Sequence, residues 1–281
     1  MSAELVSVSG VLHINRKRFL FLETTHLKLR GVVSLLAVTL GMVLCDLVQR
    51  FLIGPLVWLI PSSRKRVLGA WMQAMAWLTS RPMVFLGGAS IAPPPQVPFE
   101  SGVLIIMNHQ SLLDIPMVCT SVRGGYPLIV TRKRYRRWIP LISHMIRLYQ
   151  YPVVDPTANR RDALGMTDNL SEVARTAEVP VAIFPEGTRT KDGNIGRFKK
   201  AGLRRILQAR AWKVYVLVGD GFWKYAKFKN FLSGINKMNG EVAFVSELEW
   251  NDPTLDPDPF IGEVRKQMVA GLAQMRGESV A

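Results

Sequence analysis

The stretch Val103–Met107, VLIIM, is five apolar residues in a row with no polar alternation. It reads as a strand buried on both faces, which confines it to a sheet that is covered on both sides. Polarity returns at once in Asn108–Asp114, NHQSLLD, and Pro116 two residues later suits the first turn of a helix. His109 therefore falls in a strand-to-helix loop, with Asp114 at or near the helix start. A histidine and a carboxylate five residues apart can fold back on each other across such a loop. The carboxylate then accepts from one ring nitrogen and leaves the other as a base, the base–orienter half of a catalytic triad. No G-x-S-x-G elbow accompanies them, and neither Cys45 nor Cys119 has a recognisable reactive setting. A base without a protein nucleophile points to activation of a hydroxyl on the substrate. Taken alone, a loop histidine is more often structural than catalytic.

Beyond residue 102 strand and helix patterns alternate. Strands are expected at 103–107, 127–131, 151–154, 180–184, 213–218 and 242–248, and helices at 115–122, 159–178, 198–210 and 258–276. The alternation predicts an α/β layered domain with a largely parallel or mixed sheet flanked by helices. Active sites of that architecture lie at the carboxyl ends of strands, where His109 stands.

The amino-terminal third differs in character. Gly31–Ile60 is the most apolar part of the chain, interrupted by Asp46 and Arg50 and by the breaker Gly54-Pro55. Basic residues flank it on both sides: Arg16, Lys17, Arg18, Lys28 and Arg30 before, Arg64, Lys65 and Arg66 after. If positive charge stays cytoplasmic, both ends share one side, which favours a re-entrant or interfacial hairpin. A buried core helix and a single tilted span are the other readings. Residues 64–80 carry Leu68, Trp71, Met72, Met75 and Leu78 at helical spacing, fitting an interfacial helix or a core stripe equally. No uninterrupted apolar run with a small-residue cleavage site opens the chain, so no secretory signal is expected. The proline-rich Ala92–Pro98 reads as a stiff linker, so residues 1–90 form a membrane-associating helical region and residues 91–281 the α/β domain.

Charge narrows the partners. The net charge is +15 in 281 residues. An excess of this size calls for an anionic partner such as an acidic membrane surface, a phosphorylated substrate or an acidic carrier protein. No nucleic-acid-binding motif accompanies it, so nucleic acid is not expected. The densest patch is Arg132, Lys133, Arg134, Arg136 and Arg137 beside Trp138. It suits lipid phosphates, coenzyme A phosphates, an acyl carrier protein, or no partner beyond solvent. Histidines and carboxylates lack metal-ligand spacing, so no metal is expected. His13, His26 and His144 have no partner pattern and read as structural or exposed.

A second buried strand, Val179–Phe184, leads into PEGTRTKDGNIGRFKKAG. Glu186, Gly187, Thr188 and Arg189 form a tight polar turn after it. Gly187 permits a positive φ or close approach of a ligand, and Arg189 offers a planar fork for phosphate or carboxylate. NHQSLLD with FPEGTRT downstream resembles the glycerolipid acyltransferase family typified by 1-acylglycerol-3-phosphate acyltransferases, whose pattern is N-H-x4-D, then F-P-E-G-T-R-S/T, then a run like Phe198–Gly202. The resemblance covers roughly residues 80–250. It implies His109 as general base, Asp114 as its orienter, and Glu186, Gly187, Thr188 and Arg189 as the acceptor site with Arg189 near its phosphate. It also implies a membrane-associating helical segment, matching residues 31–80. Lys133, Ile139, Pro140 and Asp155 fit the family's middle motif, which adds Lys133 as a substrate-binding residue. Tyr135, Arg136 and Ser143 depart from it, and Pro156 stands where an arginine is expected; Arg160 and Arg161 are the nearby substitutes.

The expected function is a membrane-bound O-acyltransferase that moves a fatty acyl group from a coenzyme A or acyl carrier protein thioester to the free hydroxyl of 1-acylglycerol-3-phosphate, giving phosphatidate. The thioester is a co-substrate, and no resident cofactor is expected. The setting is the cytoplasmic face of the inner membrane, among anionic lipids. Two alternatives stand beside it: the same chemistry on a lyso-aminolipid of the lyso-ornithine type or another lysophospholipid, and a non-catalytic lipid-surface protein. An oxyanion donor is expected among backbone N–H groups of the first motif.

Overall fold

The computed structural model describes residues 3–155 and 160–278, with side chains for residue 25 and for residues 27–155, 165–166 and 168–278. His13, Arg16, Lys17, Arg18, His26, Pro156, Arg160 and Arg161 therefore have side chains outside the described residues. A six-stranded sheet organises the molecule, in the order β1 (Ser90–Ile91), β8 (Asn239–Trp250), β7 (Trp212–Asp220), β2 (Val103–Met107), β6 (Val181–Ile183) and β3 (Leu128–Ile129). Strands β7, β2, β6 and β3 run parallel, β8 returns antiparallel to β7, and β1 is parallel to β8. A separate parallel pair joins β4 (Thr131–Arg132) to β5 (Val153–Val154). The sheet is mixed, as the alternating pattern predicts: β3, β6, β2 and β7 are parallel, and β8 is antiparallel to β7 although α8 (Phe228–Gly234) lies in the connection between them.

All five residues of β2 are buried because they face two cores in turn. Val103, Ile105 and Met107 meet one cluster, with Leu68 and Met72 of α3 (Arg64–Phe85) and Met117 and Val118 of α4 (Asp114–Ser121). Leu104 and Ile106 meet the other. That second cluster holds Leu170 of α6 (Arg160–Thr176), Leu203 and Ile206 of α7 (Lys200–Leu207), and Val264 and Met268 of α9 (Pro257–Arg276). Cutting Ile105 back to alanine would cost about 2–5 kcal/mol.

The apolar amino-terminal segment is a rod rather than a broken hairpin. Helix α1 (Ala3–Val48) runs into a π-helical turn at Gln49–Ile53 and then α2 (Gly54–Leu59). Gly54 N donates to Gln49 O, five residues back, so Pro55 enters as the first turn of a new helix and does not end the rod. The chain reverses only at Ile60–Ser63, and α3 then runs back along α1. Arg30 and the reversal that precedes Arg64–Arg66 are therefore separated by roughly 45 Å of helix at 1.5 Å per residue.

From Arg30 to Gln49 the rod is bound to the rest of the molecule at several points. Arg30 Nε donates to Leu86 O at 3.1 Å, and Ser34 Oγ to Pro82 O at 3.2 Å. A Cβ on Gly31 would lie 2.3 Å from the Leu232 carbonyl oxygen, so only glycine allows α1 to reach α8 (Phe228–Gly234). Buried Gln49 accepts from Trp71 Nε1 at 3.2 Å and sits 2.9 Å from His144 Nδ1 on α5 (Ile142–Leu148). The opposite side of the rod is bare. The most apolar 18-residue window within Leu27–Leu59 has a mean hydropathy of 2.2, and only 17% of it is buried.

On α3 the helical stripe splits. Leu68, Met72 and Met75 are core, Trp71 is half-buried, and Leu78 joins Trp77 and Phe85 on the exposed side. The change of character near residue 91 is one of composition, since α3 and β2 share a single core. Even the proline run is tied down: Val97 N donates to Ser121 O at 2.7 Å and Arg123 N to Val97 O at 3.0 Å. Helices α5 and α8, seven residues each, are too short to carry a readable helical period and were not expected from sequence.

Candidate active site

Register brings the two motifs together. Ile106 on β2 pairs with Ile183 on β6, and three residues beyond each lie His109 and Glu186. The Glu186 Oε1 atom accepts the His109 backbone N–H at 2.9 Å, and its Oε2 accepts the Gly196 N–H at 2.8 Å. Thr190 N donates to His109 O at 2.8 Å. On the other flank, Asn108 and Gly219 exchange hydrogen bonds of 2.9 and 2.7 Å, clamping the end of β2 to the end of β7.

The His109–Asp114 pair forms at 2.7 Å between Nδ1 and Oδ2. A carboxylate can only accept, so the proton sits on Nδ1 and Nε2 keeps its lone pair. Asp114 Oδ2 also accepts Gln110 N at 2.6 Å and Ser111 N at 2.9 Å, and the residue is fully buried. The imidazole stacks on Phe184 with centroids 4.6 Å apart, and its side chain is 18% exposed. It lines neither of two clefts of about 480 and 420 Å³.

These contacts bear on two expectations. Glu186 is 3% exposed and each of its oxygens accepts a backbone N–H, so it braces the two loops. Burial raises its carboxyl above the usual range, against the lowering pull of those two donors. The N–H groups of His109, Gln110 and Ser111 all donate to carboxylates, so none of the three is a free oxyanion donor.

The remaining turn residues are more open. Gly187 has φ 63, the left-handed geometry its turn requires, and the Lys199 side chain lies over it. Thr188 is exposed and Arg189 partly so, and Arg189 makes no side-chain hydrogen bond or ion pair among the described residues. Lys133 is exposed on a short 3₁₀ turn. Its neighbour Arg132 is the cation that reaches the motif, donating from Nη2 to Gly187 O. Ser143, unusual by sequence, is buried, accepts Ile139 N at 2.9 Å and donates to Tyr135 O at 3.1 Å, shaping the basic loop.

Sequence reasoning also passed over Gln110. Its side chain donates to Asp220 Oδ1 at 2.9 Å and accepts from Phe222 N at 3.1 Å. Asp220 in turn pairs with Arg276 of α9 at 2.8 Å, and Arg276 Nη2 donates to Gly193 O at 2.9 Å. Burial pushes the Asp220 carboxyl up, but the Arg276 and Gln110 bonds outweigh it and hold it below the usual range. No sequence signal links residues 110, 220 and 276. Cys45 and Cys119 are both buried, and burial pushes the Cys119 thiol up to about 12, so it is no nucleophile near neutral pH.

The profile of the family described as Acyltransferase matches residues 73–218. A 1-acyl-sn-glycerol-3-phosphate acyltransferase of Cocos nucifera is 28% identical over 136 residues, 47% of this chain and 42% of that protein. The 1-acyl-sn-glycerol-3-phosphate acyltransferase alpha of Homo sapiens is 26% identical over 142 residues, 50% of this chain and 48% of its own. The chain thus spans about half the length of the curated relatives it matches. Among solved structures, the 1-acyl-sn-glycerophosphate (LPA) acyltransferase PlsC from Thermotoga maritima superposes with a TM-score of 0.62. It covers 90% of this chain and is itself fully covered, at 17% identity, a likeness of fold.

Proposed function

Because the chain belongs to the Acyltransferase family, we propose that it transfers a fatty acyl group from a thioester to the free hydroxyl of 1-acylglycerol-3-phosphate. The observation that carries this reading is the His109–Asp114 pair, braced by Glu186 at the carboxyl ends of two adjacent parallel strands. The acceptor named by the relatives supplies the substrate class.

In this mechanism His109 Nε2 takes the acceptor hydroxyl proton as that oxygen attacks the thioester carbonyl. The carbon–sulfur bond breaks, the thiolate leaves, and the imidazolium returns the proton to it. Asp114 stabilises the transient imidazolium. A thioester is already activated, so no acyl-enzyme is needed. Arg189, with Arg132 beside Gly187, supplies guanidinium groups for the acceptor phosphate. Glu186 keeps the two loops in register.

Attachment to a membrane rests on the bare side of the rod. Leu36, Leu40, Leu44, Phe51, Trp58 and Leu59 are each more than half exposed, and Trp77 and Phe85 extend the surface. From Gly31 onward one side of α1 packs on protein and the other is mostly apolar, which suits a helix lying in the bilayer surface with the α/β layers above it. The basic flanks favour the cytoplasmic face.

The test is thioester consumption by the purified full chain and by His109→Ala, with lysophosphatidate as acceptor and both coenzyme A and acyl carrier protein donors. Consumption that requires lysophosphatidate and falls about 10²–10⁴-fold in the variant is expected. Activity on a different lysolipid alone would move the acceptor assignment to the altered middle motif around Tyr135, Arg136 and Ser143. An inert wild type across a broad acceptor panel would overturn the enzyme reading.

A further inference from the structure

We infer that the cleft between the π-helical turn of α1 and the Arg136–Ser143 loop holds the phosphate of one anionic phospholipid of the surrounding membrane. This site is separate from the acceptor site and rests on the membrane attachment proposed above. The cleft is about 480 Å³ and is lined by Arg50, Arg137 and Arg147 against the single carboxylate of Asp46. None of His109, Asp114 or Glu186–Arg189 lines it.

Its charges are mismatched as they stand. Arg50 Nε pairs with Asp46 Oδ2 at 2.8 Å, which leaves the rest of its fork open. Arg147 Nη1 donates to Arg136 O at 2.9 Å. Arg137 has no side-chain partner among the described residues. Three guanidinium groups around one carboxylate leave a cationic cleft that an anion with several acceptor oxygens would complete. Behind it, His144 is held below its ordinary value by burial and then by Arg50 and Arg147.

The borders of the cleft select a lipid. Arg50 stands at the edge of the bare side of α1, where Leu47, Phe51 and Leu52 are 46%, 76% and 59% exposed. Across the cleft Trp138 is 96% exposed, on a backbone with φ 69. Indole rings favour the layer between headgroups and hydrocarbon, and guanidinium groups favour headgroup phosphates. A ligand with a phosphate joined to acyl chains meets both surfaces at once, whereas a free anion meets only the cations. A lipid seated there would fix the height of the rod in the bilayer and with it the height of His109 over the acceptor.

The experiment uses the full chain in neutral detergent, with retention of added phosphatidylglycerol, phosphatidylcholine and inorganic phosphate read by native mass spectrometry. Wild type and His109→Ala should both retain phosphatidylglycerol, and excess inorganic phosphate should not displace it. Arg137→Gln should weaken retention about tenfold, and Arg137→Gln with Arg147→Gln about a hundredfold. Arg137 is exposed and unpartnered, so that single variant keeps the fold. Turnover on monodisperse lysophosphatidate should be unchanged in both variants. Equal retention by variant and wild type, or ready displacement by phosphate, overturns the lipid site. A turnover loss like that of His109→Ala assigns these arginines to the acceptor site and overturns its separateness. Flotation with phosphatidylcholine vesicles tests attachment independently: a wild type that fails to float sinks the membrane reading, whatever the retention shows.

Discussion

The loops after β2 and β6 begin on adjacent parallel strands, at paired residues Ile106 and Ile183, yet they hold their polar groups in opposite ways. In the first, the N–H groups of His109, Gln110 and Ser111 and the His109 ring all donate to buried carboxylates. In the second, past the Glu186 brace, Thr188 is exposed and Arg189 has no partner among the described residues. A base must be aimed before its substrate arrives, because misplacement by about an ångström can cost a hundredfold in rate. A cation that recognises a phosphate gains most when no internal carboxylate competes for it.

The sharpest test of the contrast is Asp114→Ala. It strands two buried N–H groups and the imidazole proton, so stability should fall by about 3 kcal/mol or more, and turnover should fall with it. Thermal melts and turnover of the same preparation report both. An unchanged melting temperature would show that the first loop is not held by this carboxylate. Glu186→Gln comes next. A glutamine oxygen can satisfy only one of His109 N and Gly196 N, while its amide presses donors on the other. A stability loss of about 1–3 kcal/mol with reduced turnover is expected. A raised KM with the fold and kcat intact would instead return Glu186 to the acceptor site.

On the open loop, Arg189→Ala should raise KM for lysophosphatidate about tenfold while leaving the melting temperature and kcat near wild type. A melting temperature that drops with it would erase the distinction between the loops. The smallest effect concerns Asp220, which steadies Gln110 from behind. Its folded carboxyl is held below the ordinary value, so its stabilisation is present above pH about 4 and is lost as pH falls through the folded value. Asp220→Asn should therefore cost about 1–2 kcal/mol near neutral pH, and the gap should close under acid, as read by denaturant melts at both pH values. A gap that persists in acid would mean the residue acts by shape rather than by charge.

Local pattern determined a good part of this protein. An unbroken apolar pentapeptide specified β2 because such a strand must be buried on both faces. The polar break after it specified the loop, and the five-residue spacing specified the His109–Asp114 pair, since the whole contact lies within one turn. The two motifs together were enough for the family and the mixed α/β fold. Tertiary structure decided the rest. Which strands are neighbours, and in what register, depends on pairing between residues about 80 positions apart, and only that register turned Glu186 into a brace. The Gln110–Asp220–Arg276 chain joins three segments that carry no common periodicity. The rod of α1 kept its course through Gly54-Pro55 because an i→i−5 turn removed the clash that proline normally imposes, a choice set by packing against α3 and α5. Sequence fixes what a segment can do with its near neighbours; contacts across the fold decide which of its polar groups remain free for a ligand.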